Sequence, residues 1–111
     1  MFDFENRKNM GNIHVYPNRF EKAGEKCPGH THNFDHAMLF LRGEFQGEMK
    51  LPSGQIIHRK FIAPDYCLVK SDVEHEITAL TDDALFWCVF SHRDPQGNII
   101  DEYSGNMSAY V

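Results

Sequence analysis

The sequence predicts an all-β domain, built as a sandwich, a jelly roll or a small barrel, and three observations predict it. Runs rich in β-branched and aromatic residues recur at short, regular intervals. Gly, Pro, Asn or Asp stand between them. No stretch long enough for a stable helix carries an apolar period of three to four. Short strands punctuated by turn residues bury their apolar faces best against a second layer of strands.

The runs come in order as NIHVY at 12–16, HAMLFL at 36–41 and EFQGEMKL at 44–51. In the third, Phe45, Met49 and Leu51 share one parity while Glu44, Gln46, Glu48 and Lys50 share the other, so one face is buried and one is wet. Pro52-Ser53-Gly54 then turns the chain into QIIHRKFI at 55–62. A three-residue loop ending in a left-handed Gly54 pairs Phe45 with Phe61 and turns Ile57, Arg59 and Phe61 inward. A two- or four-residue loop turns in Ile56, His58 and Ile62 instead. The first register is preferred, because Gly54 suits the bulge and Arg59 rather than Lys60 then lies inside. YCLVK at 66–70 and HEITAL at 75–80 flank the polar turn SDVE. ALFWCVFSH at 84–92 is apolar on both faces, which predicts a central strand or one packed on a second subunit. From Arg93 to Val111 the pattern dissolves into a polar tail.

With 111 residues the chain has room for one domain, 1–111, and one core. Lys and Arg number 11 against 16 Asp and Glu, a net charge of −5, which argues against a nucleic-acid partner. No run approaches the length of a membrane span and the start carries no apolar leader, so a cytoplasmic protein is expected. Cys27, Cys67 and Cys88 are odd in number and form no CxxC pair. They read as reduced thiols serving as small, semi-apolar packing residues.

Seven histidines in so short a chain are the unusual feature. His30, His32 and His36 stand at offsets of zero, two and six, so in an extended chain all three side chains share a face with Phe34, Met38 and Phe40. A same-face set with apolar flanks implies burial, and buried imidazoles need partners. His75, opening the run at 75–80, can complete the set from a neighbouring strand. Four imidazoles suit Zn, Mn, Fe, Ni or Cu rather than Ca or Mg. His14, His58 and His92 carry no such pattern and read as surface or core histidines. Asp35, Glu74 and Glu76 fall on the opposite parity from the neighbouring histidines and read as solvent-facing or supporting groups.

These residues resemble the motifs of a small single-domain cupin. The first cupin motif reads Gly, five residues, His, one residue, His, three or four residues, Glu, six residues, Gly. Gly24, His30, His32, His36 and Gly43 match its spacing, with His36 where the family usually has Glu. The second motif keeps its spacing in Pro64, Lys70, Asp72, His75 and Ala79, but of its named residues only the histidine is present. The resemblance implies a double-stranded β-helix, or jelly-roll barrel, with a core over about 12–92 and the tail at 93–111. It implies a divalent transition metal (Fe, Mn, Ni, Zn or Cu) held by His30, His32, His36 and His75, and a homodimer. Replacing Glu by His36 leaves the ion with a net charge of about +2 instead of about +1, a stronger Lewis acid without a coordinated carboxylate. The activity expected is that of a metal-dependent, dioxygenase-like oxidoreductase acting on a small molecule. Phe34, Met38, Phe40, Phe45 and Phe61 would form a dry wall, and Arg59 would grip a substrate anion. The alternatives are a non-enzymatic small-molecule- or metal-binding cupin and a metal-dependent lyase or isomerase.

Overall fold

The computed structural model describes residues 2–3, 8–10, 12–30, 35–91, 96 and 98, with 2–3, 8–10 and 28–30 described by their backbone. These residues form β1 (Phe2–Asp3), β2 (Lys8–Met10), β3 (Ile13–Phe20), β4 (Lys26–His30), β5 (His36–Arg42), β6 (Glu44–Lys50), β7 (Ile56–Ile62), β8 (Asp65–Val69), β9 (Glu74–Ala79) and β10 (Ala84–Ser91). Among the described residues there is no helix long and apolar enough to cross a membrane.

Two antiparallel sheets face each other as a jelly-roll sandwich. One runs β1-β3-β10-β5-β8, with β2 also on β3, and the other runs β4-β9-β6-β7. The all-β jelly roll expected from the sequence is the fold observed; among the described residues no ladder joins one sheet to the other, so the two layers form a sandwich. The chain passes between the sheets from β7 to β8 through Ala63-Pro64, where Pro64 has no N–H to continue a ladder.

The seven expected runs all become strands. The first is longer than the reading at 12–16, because Pro17 is accommodated opposite Trp87 and the strand continues to Phe20. The described partners on the other side of β3 flank Pro17, with β2 opposite Ile13–Val15 and β1 opposite Arg19 and Phe20. β10 lies between β3 and β5, which accounts for its two apolar faces.

The hairpin takes the preferred register, with Phe45 opposite Phe61 and Met49 opposite Ile57. Leu51 and Gln55 close the three-residue loop, the Leu51 N–H donating to the Gln55 carbonyl at 2.8 Å, and Gly54 sits at φ +93°. The inward placement of Ile57 and Arg59 is corrected: along β7 only Phe61 is buried. β7 is the edge strand of its sheet, so residues of the right parity there still lie open to water.

The registers stack the interior in layers. At one end lie His14 opposite Phe90 and His36 opposite Val69, facing His75 opposite Met49. A middle layer holds Cys88 opposite Met38 and Cys27 opposite Ile77. At the far end Phe86 lies opposite Phe40, and Phe45 opposite Phe61. Phe20, Phe40, Phe45, Phe61 and Phe86 are fully buried there, with ring centroids 4.2–5.8 Å apart. Each contributes about 1.5–3 kcal/mol by leaving water, and this cluster is the foundation on which the histidine end is built.

Candidate metal centre

His36 opens β5 on the same parity as the buried Met38 and Phe40, and is itself 4% exposed. His75, on β9 with the parity of Ile77 and Ala79, is 3% exposed. The two rings meet across the sandwich at 4.8 Å between centroids. A carbonyl can only accept, so the 3.1 Å contact between His75 Nδ1 and the Val73 carbonyl makes Nδ1 the donor. In the neutral ring the lone pair is then on Nε2, the tautomer that suits a ligand binding a metal through Nε2.

The turn that delivers His75 is built by residues 70–73. The Val73 N–H donates to the Lys70 carbonyl at 3.3 Å, and Asp72 takes φ +64°. Asp72 stands where the second cupin motif has Gly, and it supplies the left-handed conformation that glycine would give; Asp is among the few other residues that do so readily. Gly43, which closes the first motif at φ +91°, is more constrained. A Cβ there would lie 2.7 Å from Thr81 Oγ1 and 2.8 Å from Ala84 Cβ. Gly24, at φ +92°, has open space around it.

Of the four sequence-predicted ligands, the structure brings His36 and His75 together. His30 is placed by its backbone, directly opposite His75 in the β4–β9 ladder. His32 lies outside the described residues, as does Phe34. Among the described residues no group of three His, Cys, Asp or Glu side chains is gathered for a metal ion.

The carboxylates of opposite parity face away from the histidines. Asp35 Oδ1 accepts the Ser71 N–H at 2.8 Å, and Glu76 pairs with Lys26 at 3.4 Å. Arg59 lies exposed on the edge strand with its guanidinium 5.0 Å above the Phe61 ring. Met38, Phe40, Phe45 and Phe61 have no exposed surface: they fill the interior beneath the histidines rather than lining an open chamber. An open cavity of about 370 Å³ instead lies at the rim beside His36, with Leu68, Phe90 and Lys70 among its walls.

The cysteines are unbridged, and burial pushes the Cys27 thiol up to about 11 and the Cys88 thiol up to about 12. They are packing residues, poor nucleophiles at neutral pH.

The sequence left one feature open and missed another. His14, read as a surface or core histidine, is buried and stacks on Phe90 at 5.0 Å, with the planes 5° apart. Parity could not choose between the two because β3 inverts the usual alternation, turning His14 and Asn18 inward while Ile13 and Val15 face out. Lys70 reaches the cavity rim from a turn, where strand parity says nothing. His58 is exposed as expected, and His92 lies outside the described residues.

No family model and no curated protein sequence matches this chain. Solved structures do. Bacillus subtilis oxalate decarboxylase, in a study of its Mn(II) centres, matches with a TM-score of 0.68 at 20% identity over 82% of this chain and 24% of its own. KdgF from Halomonas sp. matches with a TM-score of 0.66 at 20% identity over 86% of this chain and 89% of its own. The chain has the cupin fold. The chain spans about a quarter of the decarboxylase chain and most of the KdgF chain.

Proposed function

We propose that this cupin holds a divalent transition metal between its sheets through His30, His32, His36 and His75, and that it is a dioxygenase-like oxidoreductase for a small molecule. The observation that carries the reading is the buried His36–His75 pair, 4.8 Å apart, with the His75 tautomer set by the Val73 carbonyl. Two converging imidazoles, with a third histidine in register beside one of them, fit a nitrogen-rich site for Fe, Mn, Ni, Zn or Cu. Bound there, the ion would supply Lewis acidity with a net charge of about +2, since no carboxylate joins the set.

The chain's own residues do the rest. The Val73 carbonyl holds the His75 ring in one orientation. The phenylalanine cluster closes the interior to water from below, so a substrate enters from the rim, where the cavity beside His36 offers apolar walls. Arg59 offers its guanidinium to a substrate anion at the open edge of the smaller sheet. The acidic balance and the unbridged thiols support a reducing, cytoplasmic setting without nucleic acid.

The filled interior also favours a second reading, a cupin that binds a metal or small molecule without catalysis. Elemental analysis of the protein as isolated, with His32→Ala beside it, tests the site: one metal per chain, lost in the variant, is expected, and equal metal in both overturns it. Oxygen uptake by the Fe-loaded protein with small diketones, thiols and phenols separates the readings. Uptake supports the oxidoreductase, and stoichiometric zinc with silence in every assay supports the binder.

A further inference from the structure

His36 and His75 stand on strands of opposite sheets, and among the described residues no ladder joins those sheets. Backbone pairing therefore does not set the distance between the two rings. The β5–β8 ladder ends at His36 opposite Val69. Beyond it the chain leaves β8, turns through residues 70–73 and crosses to the smaller sheet, where β9 delivers His75.

One side chain ties that turn to the start of β5. Asp35, the residue before His36, lies just past the end of the ladder, and its Oδ1 accepts the Ser71 N–H at 2.8 Å. Two further bonds carry the connection on. The Val73 N–H donates to the Lys70 carbonyl at 3.3 Å, and the Val73 carbonyl accepts from His75 Nδ1 at 3.1 Å. A continuous path of bonds runs in this way from the backbone of His36 to the ring of His75. Lys70 Nζ, at 3.9 Å from Asp35 Oδ2 with both side chains open to water, adds little to it. The bond from the Ser71 N–H to a carboxylate is charge-assisted and is the stronger of the two contacts.

We propose that Asp35 is a positioning residue for the metal site: by fastening the 70–73 turn to the start of β5, it holds His75 where one ion can reach both it and His36. This role rests on the proposed metal site. It acts on the metal-free protein, by raising the fraction of chains whose histidines are already in place, and the apparent affinity scales with that fraction.

A bond of the same kind at the other end of the sandwich supplies the control. Asp82 Oδ1 accepts the Ala23 N–H at 2.8 Å, close to the pairing of Ala84 with Phe20 and far from the histidines. Calorimetric titration of the metal-free full chain with Co(II), in the wild type and in Asp35→Ala, Asp35→Asn and Asp82→Ala, tests the proposal. The Asp35 side chain is 58% exposed, so its variants should fold. Asp35→Ala is expected to weaken Co(II) binding by about 10-fold. Asp35→Asn, whose amide oxygen still accepts an N–H, should restore most of the affinity, and Asp82→Ala should bind as the wild type does. Equal affinity in the wild type and Asp35→Ala overturns the proposal and leaves the metal site standing. An equal loss in Asp35→Asn and Asp35→Ala overturns it too, because the carboxylate charge and not the bond would then be attracting the ion. A loss in Asp82→Ala as large as that in Asp35→Ala assigns the effect to general loosening and is equally fatal. A wild-type chain that takes up no Co(II) removes the site itself, and this role with it.

Discussion

The two ends of the sandwich interior are equally buried and oppositely built. At one end Phe20, Phe40, Phe45, Phe61 and Phe86 interlock, and at the other His14, His36 and His75 are closed in beside Phe90 and Met49. Burial stabilises the first end directly, because apolar area leaves water. At the second it places polar rings where they must be satisfied, at a cost that only a specific partner offsets. The contrast separates the apolar packing of the domain from the proposed metal site, and the proposal predicts that each can be broken without the other.

The largest change is expected at the histidine end. His75→Ala should abolish metal binding while circular dichroism shows the β fold retained; full metal content in that variant would remove the site from this end. Next, Phe40→Ala should cost about 3–5 kcal/mol in urea unfolding, through the cavity it leaves among stacked rings, with metal per folded chain unchanged.

The two motif glycines sharpen the comparison further. Gly43→Ala should cost about 2–4 kcal/mol, since it adds a clash with Thr81 and Ala84 to a left-handed backbone, whereas Gly24→Ala, with the backbone strain alone, should cost about 1–2 kcal/mol. Equal losses at both would show that crowding at Gly43 is relieved by movement.

The middle layer adds an effect that is absent at neutral pH and grows only in alkali. Cys27 and Cys88 keep their protons to about 11 and about 12 in the folded chain, against an ordinary 9.0, so the unfolded chain gives them up first. Their contribution is fully present below pH 9 and is lost as the pH rises toward 12, by about 1 kcal/mol per pH unit for each thiol. Unfolding curves at stepped pH should show that decline, and Cys88→Ala should flatten it.

Much of this arrangement was legible in the chain. His36 could be placed inside because Met38 and Phe40 share its parity, and the Phe45–Phe61 register followed from a three-residue loop ending in Gly54. What could not be read depends on neighbours that only the topology supplies. Arg59 and Ile57 have an inward parity, but β7 is an edge, and edges are not marked by composition alone. β3 misleads because its apolar side faces outward. Asp72 conceals a motif position, since the fold demands a left-handed backbone there rather than a particular side chain.

The pairing of β3 with β10 joins Ile13 to Ser91, most of the span of the described strands, while β6 and β7 are the pair joined by the three-residue hairpin loop. Loop closure over such separations costs entropy before any contact repays it, so folding on the scale of milliseconds to seconds is expected. During synthesis the hairpin can form early, but the larger sheet must wait until residue 91 has emerged, at about 5–20 residues per second. For several seconds the nascent chain therefore holds β3 and β5 without the strand that separates them in the finished sheet, and in that interval the domain is most open to mispairing with a neighbour.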